Sequence, residues 1–215
     1  PERAYMMAEK WFGRIEKRII KKRKLSAEPK QTRQRTITLK GDVPAAAVYK
    51  AWHMGPRLNP DYYSLDLITD ILAGGESGRL YSKLVREKKL FSNIDAYISS
   101  DIDPGLLIIH GKLMKGTDVK QGEIFLDRMI DDLKQKSPTS FEMEKVKNKY
   151  ESANIYRNTN ILNKALNLAY YELLGNPDMI NTEVDLYRKT DRAMVIEAAG
   201  KYFAGSNCST LYYKS

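Results

Sequence analysis

The sequence predicts an α+β domain in which a largely antiparallel sheet of about five strands is covered on one face by helices. Three observations predict it. Residues 33–40 alternate between apolar and polar side chains at the period of a strand. Residues 65–72 and 119–133 instead repeat their apolar side chains at the period of a helix. The segments also follow the order strand, strand, helix, helix, strand, strand, helices, strand, which is not the regular alternation of a doubly wound parallel sheet.

Residues 2–12 read as a helix with Ala4, Met7, Ala8 and Trp11 on one stripe and Gly13 just past its end. A basic linker occupies residues 14–35. Along 33–40, Thr36, Thr38 and Lys40 oppose Ile37 and Leu39, the pattern of a half-buried strand. Gly41 and Asp42 supply a turn and residues 45–53 a second strand, so an antiparallel hairpin is expected. Leu65, Ile68, Ile71 and Leu72 then form a buried helix that starts after Pro60 and Asp61 and stops at Gly74 and Gly75. Arg79, Ser82, Lys83 and Arg86 share one face of a second, short helix. Residues 91–99 carry the β-branched and aromatic side chains of a strand, and after a turn at 101–105 a fourth strand, 106–114, pairs back on 94–100.

The second half is mostly helical. Residues 119–133 are amphipathic through Ile124, Phe125, Met129 and Leu133. Thr139 and Glu142 fit a capping box, in which each side chain satisfies a free amide at the helix start. The helix behind them turns Phe141, Val146, Tyr150 and Ala153 inward, loosens at 158–160 and resumes over 162–174. Helices at 179–188 and 191–203 follow, the latter capped by Thr190, and residues 209–213 are the last strand.

Composition narrows the function. The net charge of +9 suggests nucleic acid until it is localised: residues 14–40 hold 11 Lys or Arg against Glu16 and Glu28, and the rest of the chain is balanced at 25 of each sign. No aromatic residue that would stack on bases lies in that basic stretch, so it reads as a solvated connector, and no nucleic-acid partner is expected. Cys208 is the single cysteine and makes no intrachain disulfide; it reads as a small buried residue. No apolar run approaches the roughly 18 residues of a membrane-spanning helix. The segment shows no basic-then-apolar signal pattern, and the compartment stays open between periplasm and cytoplasm. Gly74, Gly75, Glu76, Ser77 and Gly78 match neither the P-loop nor the dinucleotide-binding spacing.

One stretch carries a more specific signal. Leu72 with Gly74 and Gly75, then Ser77-Gly78-Arg79-Leu80-Tyr81, then Leu84-Val85-Arg86-Glu87-Lys88, resembles the second homologous domain of the pitrilysin/insulinase family of zinc peptidases, which includes the mitochondrial processing peptidases. The likeness continues through Thr139 and Glu142 to the C-terminus and covers residues 36–215, while residues 1–13 resemble the last helix of a preceding domain. It implies a processing-peptidase-like metallohydrolase fold, a fragment of a longer chain, and a non-catalytic half that forms a substrate cleft with a zinc-bearing half on the same chain or a partner subunit.

That resemblance also implies the site. A zinc centre of this family needs two histidines and a glutamate in the order H-x-x-E-H, and the motif is absent, so no metal and no catalytic residue is expected in this segment; the zinc belongs to the partner half. His53 and His110 stand on strands without carboxylates at ligand spacing. In the family an arginine of this motif and a tyrosine seven positions later help to hold peptide substrate. Arg86 fits the arginine, whose planar donors suit a peptide carbonyl or carboxylate. The tyrosine does not follow: seven positions on stands Asn93, or Ser92 if one residue is deleted after Lys89, and Tyr97 shares the face of Asn93 about 13 Å further along at the usual strand rise. Gly74, Gly75 and Gly78 imply a flexible glycine-rich loop near substrate. Arg86 as a surface residue paired with an acid of its own helix is the plainer alternative. At the level of the whole chain, the competing readings are a catalytically inactive structural or assembly subunit of the same family and a basic nucleic-acid-binding module.

Overall fold

A computed structural model describes residues 1–19, 26, 28–99 and 101–214. The chain divides into two compact units, Pro1–Lys30 and Gln31–Ser215. In the first, α1 (Glu2–Phe12) ends where the Gly13 N–H donates to the Glu9 carbonyl. Lys21, Lys22, Arg23 and Lys24 of the basic linker lie outside the described residues, as does Ser100, the expected end of the third strand.

The second unit is built on a five-stranded sheet in the order β1-β5-β2-β4-β3. Its strands are β1 (Arg35–Lys40), β2 (Ala47–Met54), β3 (Phe91–Ile98), β4 (Gly105–Leu113) and β5 (Cys208–Lys214). Three pairings are antiparallel, and β1 runs parallel to β5. The predicted β1–β2 hairpin does not form, because β5 lies between them. Residues 41–46 are longer than a tight hairpin turn and contain Pro44, which donates no backbone hydrogen bond, whereas β5 brings buried Cys208, Thr210 and Tyr212 that need a neighbour on both sides. As an edge strand β1 is exposed at all six residues rather than half-buried.

Helices cover one face of the sheet. α2 (Tyr62–Ala73) packs on β3, while α3 (Val119–Gln135) and α7 (Arg192–Tyr202) pack on β2. Outside them lie α4 (Ser140–Thr159), α5 (Ile161–Leu173) and α6 (Met179–Lys189), of which α4 and α6 touch α2. Leu65, Ile68, Ile71 and Leu72 of α2 are buried, as their spacing predicts, in the same core cluster as Val48, Trp52, Leu107 and Ile109 of the sheet. Burying a side chain of this size stabilises by about 1.5–3 kcal/mol, so this layer carries much of the fold.

Several helix faces differ from expectation. In α3 the buried stripe is Gly122, Glu123, Leu126, Ile130 and Leu133, with Ile124 exposed. In α4 Phe141 and Ala153 are exposed, and Met143, Val146, Lys147 and Asn154 are buried instead. In both helices buried polar side chains with partners displace the purely apolar stripe that periodicity seeks. Lys50 of β2 is the clearest partner: it sits inside the sheet–helix interface, 3.3 Å from Glu123 and 2.5 Å from Asp127. Burial alone would lower the Lys50 pKa, but the Asp127 and Glu123 carboxylates outweigh it and hold it above the ordinary value. The cap of α7 is Asp191, which accepts from the Met194 N–H, while the Thr190 hydroxyl turns back to the Leu186 carbonyl and closes α6.

Candidate functional site

The face of the sheet opposite the helices is left open, and the registers define what it presents. Ile37, Leu211, Tyr49, His110 and Asp95 form one row across all five strands. Arg35, Ser209, Ala51, Ile108 and Tyr97 form the next row. Small side chains at Ser209 and Ala51 between larger neighbours leave a groove of about 470 Å³. Its walls include Ile37, Tyr49 and Tyr97, which are 56, 37 and 45% exposed. His110 holds the aromatic rings in place. Its ring stacks on Tyr49 with centroids 5.3 Å apart, meets Tyr97 edge-on at 5.8 Å, and brings Nε2 to 4.0 Å from an Asp95 carboxylate oxygen.

The predicted residues reach this face unequally. A register shift between Phe91 and Asn93 makes Ser92 the extra residue of a β-bulge, so Ser92 and Asn93 are both exposed in succession. Asn93 donates to Asp95 at 2.6 Å and stands in line with Tyr97 along β3. Ser92 donates instead to the Lys112 carbonyl at 3.1 Å. Arg86 belongs to a π-helical segment, Tyr81–Glu87, in which the Lys88 N–H reaches back five residues to the Lys83 carbonyl. Its guanidinium is exposed and donates to the Ser82 hydroxyl at 2.9 Å, and the acid beside it, Glu87, is bonded by Lys83. Arg79, placed by periodicity on the same face, turns away to α4.

Arg79 and the glycines are occupied structurally. The Arg79 guanidinium grips Glu142 at 2.6 and 2.9 Å, and Glu142 also closes the capping box with Thr139 at 2.8 Å. The hydrogen bonds from Arg79 come first among the causes that push the Glu142 carboxyl down to about 2. Lys145 holds Ser77 through its hydroxyl at 3.0 Å, so with Arg79 the C-terminal side of the glycine loop is tied to α4. Gly75 has φ of +79°, and a Cβ at Gly74 would lie 2.3 Å from the Asp70 carbonyl oxygen, so both positions require glycine for backbone reasons.

A second cavity, of about 380 Å³, lies in the helical layer. Arg57, after β2, pairs with buried Glu183 of α6 and lies 4.1 Å over the ring of Tyr62. Tyr150 and Tyr171 both donate to Glu183, and Tyr187 donates to Asp66. Burial raises the Asp66 carboxyl despite that bond. This polar cluster joins α2, α4, α5 and α6.

The residues present do not fit a zinc ion. Among the described residues no group of three or more His, Cys, Asp or Glu is placed to hold a metal, and His53 and His110 sit on different strands out of register with each other. Also among the described residues, no helix is long and apolar enough to cross a membrane.

Comparison with known proteins agrees with the architecture. The sequence pattern of the peptidase M16 inactive domain matches residues 1–150. No curated protein matches the sequence. Among solved structures, a protease from Helicobacter pylori superposes with a TM-score of 0.92 at 19% identity, over 100% of this chain and 52% of that one. The inactive peptidase domain of a protein named as a zinc protease in Bordetella parapertussis gives a TM-score of 0.73 at 26% identity, over 81% of this chain and 93% of that one. A peptidase M16 inactive domain from Pseudomonas fluorescens gives 0.72 at 17% identity, over 91% and 46%. The chain thus spans about half the length of the Helicobacter protease.

The groove residues Ile37, Tyr49 and Leu211 were not legible as a set in the sequence. Their parity on each strand was, but the order that puts β5 between β1 and β2 was not.

Proposed function

This chain belongs to the peptidase M16 family as one of its inactive domains, and we propose that it forms one wall of the substrate cleft of a clamshell zinc peptidase whose zinc sits in a partner half. The observation that carries the reading is the sheet itself: one face is sealed by helices, and the other is open, aromatic and continuous across five strands. In this role the chain supplies binding and orientation of peptide, while the partner half supplies the metal that activates water. Arg86 and Asn93 are the residues proposed to touch substrate beside Tyr97, with Ser92 shaping the bulge that presents Asn93. Arg86 is free to leave Ser82 for a peptide carbonyl, since that bond is exposed and neutral on the acceptor side. Gly74, Gly75 and Gly78 are proposed to let the following segment lie close to a partner backbone.

The test is the reunited two-half protein. Arg86→Ala is expected to lower turnover of a peptide substrate and to leave the unfolding midpoint unchanged, and Arg86→Lys to recover part of the loss because a two-point grip becomes one. A fully active alanine variant would remove the positioning role. A second reading, an inactive structural or assembly subunit, is favoured by one observation: no phenol stands seven residues after Arg86. Absence of turnover with any zinc-bearing half, with the two halves still assembled, would select it.

A further inference from the structure

We propose that the groove on the open sheet face binds an extended peptide segment carrying a large apolar or aromatic side chain next to a carboxylate, with the side chain between Tyr49 and Tyr97 and the carboxylate on Arg35. The purpose of the site rests on the cleft-forming role proposed above; the binding itself is a property of this chain.

Shape comes first. The recess exists because Ser209 and Ala51 are small where their row crosses β5 and β2, and its volume of about 470 Å³ lies within the range of small-ligand sites. Its aromatic walls are preorganised, since the His110 ring touches both Tyr49 and Tyr97 and limits their rotation before any ligand arrives. An apolar side chain entering between them removes apolar surface from water and meets ring faces and edges at favourable geometry.

Charge then narrows the ligand. Among the described residues, Arg35 is the one charged residue that lines the groove, and its guanidinium has no hydrogen bond or ion pair with any of them. It stands on the edge strand, opposite Ser209, at the rim of the recess. A ligand that fills the recess therefore places its neighbouring group beside an uncompensated cation, which favours a carboxylate with two-point geometry. Either an acidic residue adjacent to the apolar one or a peptide C-terminus supplies that chemistry.

The purified chain is titrated with N-acetyl-L-phenylalanine, N-acetyl-L-phenylalaninamide and N-acetylglycine while the methyl resonances of Ile37, Ile108 and Leu211 are followed by NMR. The acid is expected to shift all three saturably, the amide to bind about fivefold more weakly as suits an exposed charge pair, and N-acetylglycine to give no saturable shift. Arg35→Gln should bring the acid to the affinity of the amide without changing the amide, and Tyr97→Ser should weaken both; both residues are exposed and outside the core. N-acetyl-L-phenylalanyl-L-alanine against N-acetyl-L-aspartyl-L-phenylalaninamide separates a terminal carboxylate from a side-chain one. No saturable shift, equal binding of N-acetylglycine, or an unchanged acid affinity in Arg35→Gln overturns the proposal. If those results come with peptide turnover in the reunited protein, the groove site falls and the cleft role stands. Saturable binding without turnover keeps the groove site and removes the cleft role.

Discussion

Glu142 offers a sharp test of the energetics, because one carboxylate both caps α4 and receives Arg79. Its side chain is 21% exposed, and its bonds to Arg79 are bidentate. A carboxyl that moves from its ordinary value of 4.5 to about 2 on folding gains about 3 kcal/mol for the ionised form, and screening at a partly exposed pair reduces this to about 2. Since the folded value is the lower one, the contribution is complete above the unfolded pKa and is lost as pH falls toward the folded one. Glu142→Gln should therefore cost about 2 kcal/mol at pH 7, about half as much at pH 3, and almost nothing near pH 2. Urea unfolding followed by circular dichroism at these pH values measures it, and Arg79→Ala with the double variant gives a coupling of about 1 kcal/mol or more. The same cost at pH 7 and pH 3, or a coupling near zero, would refute the reasoning.

Other outcomes follow from backbone and buried charge. Gly75→Ala meets no atom within 4 Å but must hold φ near +79°, so chemical denaturation should show a loss of about 1 kcal/mol. Gly111→Ala places a Cβ 2.5 Å from the Phe91 ring and should cost more, about 1–3 kcal/mol, through overpacking. Lys50→Met removes the buried cation from Glu123 Oε1 and leaves that carboxylate only Lys120 and the Tyr212 hydroxyl at its other oxygen; it should cost about 3 kcal/mol, with part recovered in Lys50→Met, Glu123→Gln. Elemental analysis of the dialysed chain should show no stoichiometric zinc; one zinc per chain would contradict the donor-set argument.

The sequence by itself determined the kinds of element and most of their limits. Periodicity placed α2 and its buried leucines and isoleucines, the Thr139 and Glu142 pair fixed the start of α4, and the glycines after Ala73 marked a stop that the backbone confirms at Gly75. These are local matters, settled by spacing, capping and dihedral preference within a few residues. Tertiary structure alone decided the rest. The insertion of β5 between β1 and β2, 154 residues from Met54 to Cys208, created the rows that bring Ile37, Leu211 and Tyr49 together. It also left β1 exposed despite its alternating pattern. Likewise Glu123 and Lys50 are buried because each finds the other across the sheet–helix interface, 73 residues apart, and Arg79 leaves the face of Arg86 because Glu142 waits on α4. Pairing between distant segments depends on which partners the whole chain brings within reach, and no local pattern encodes that choice.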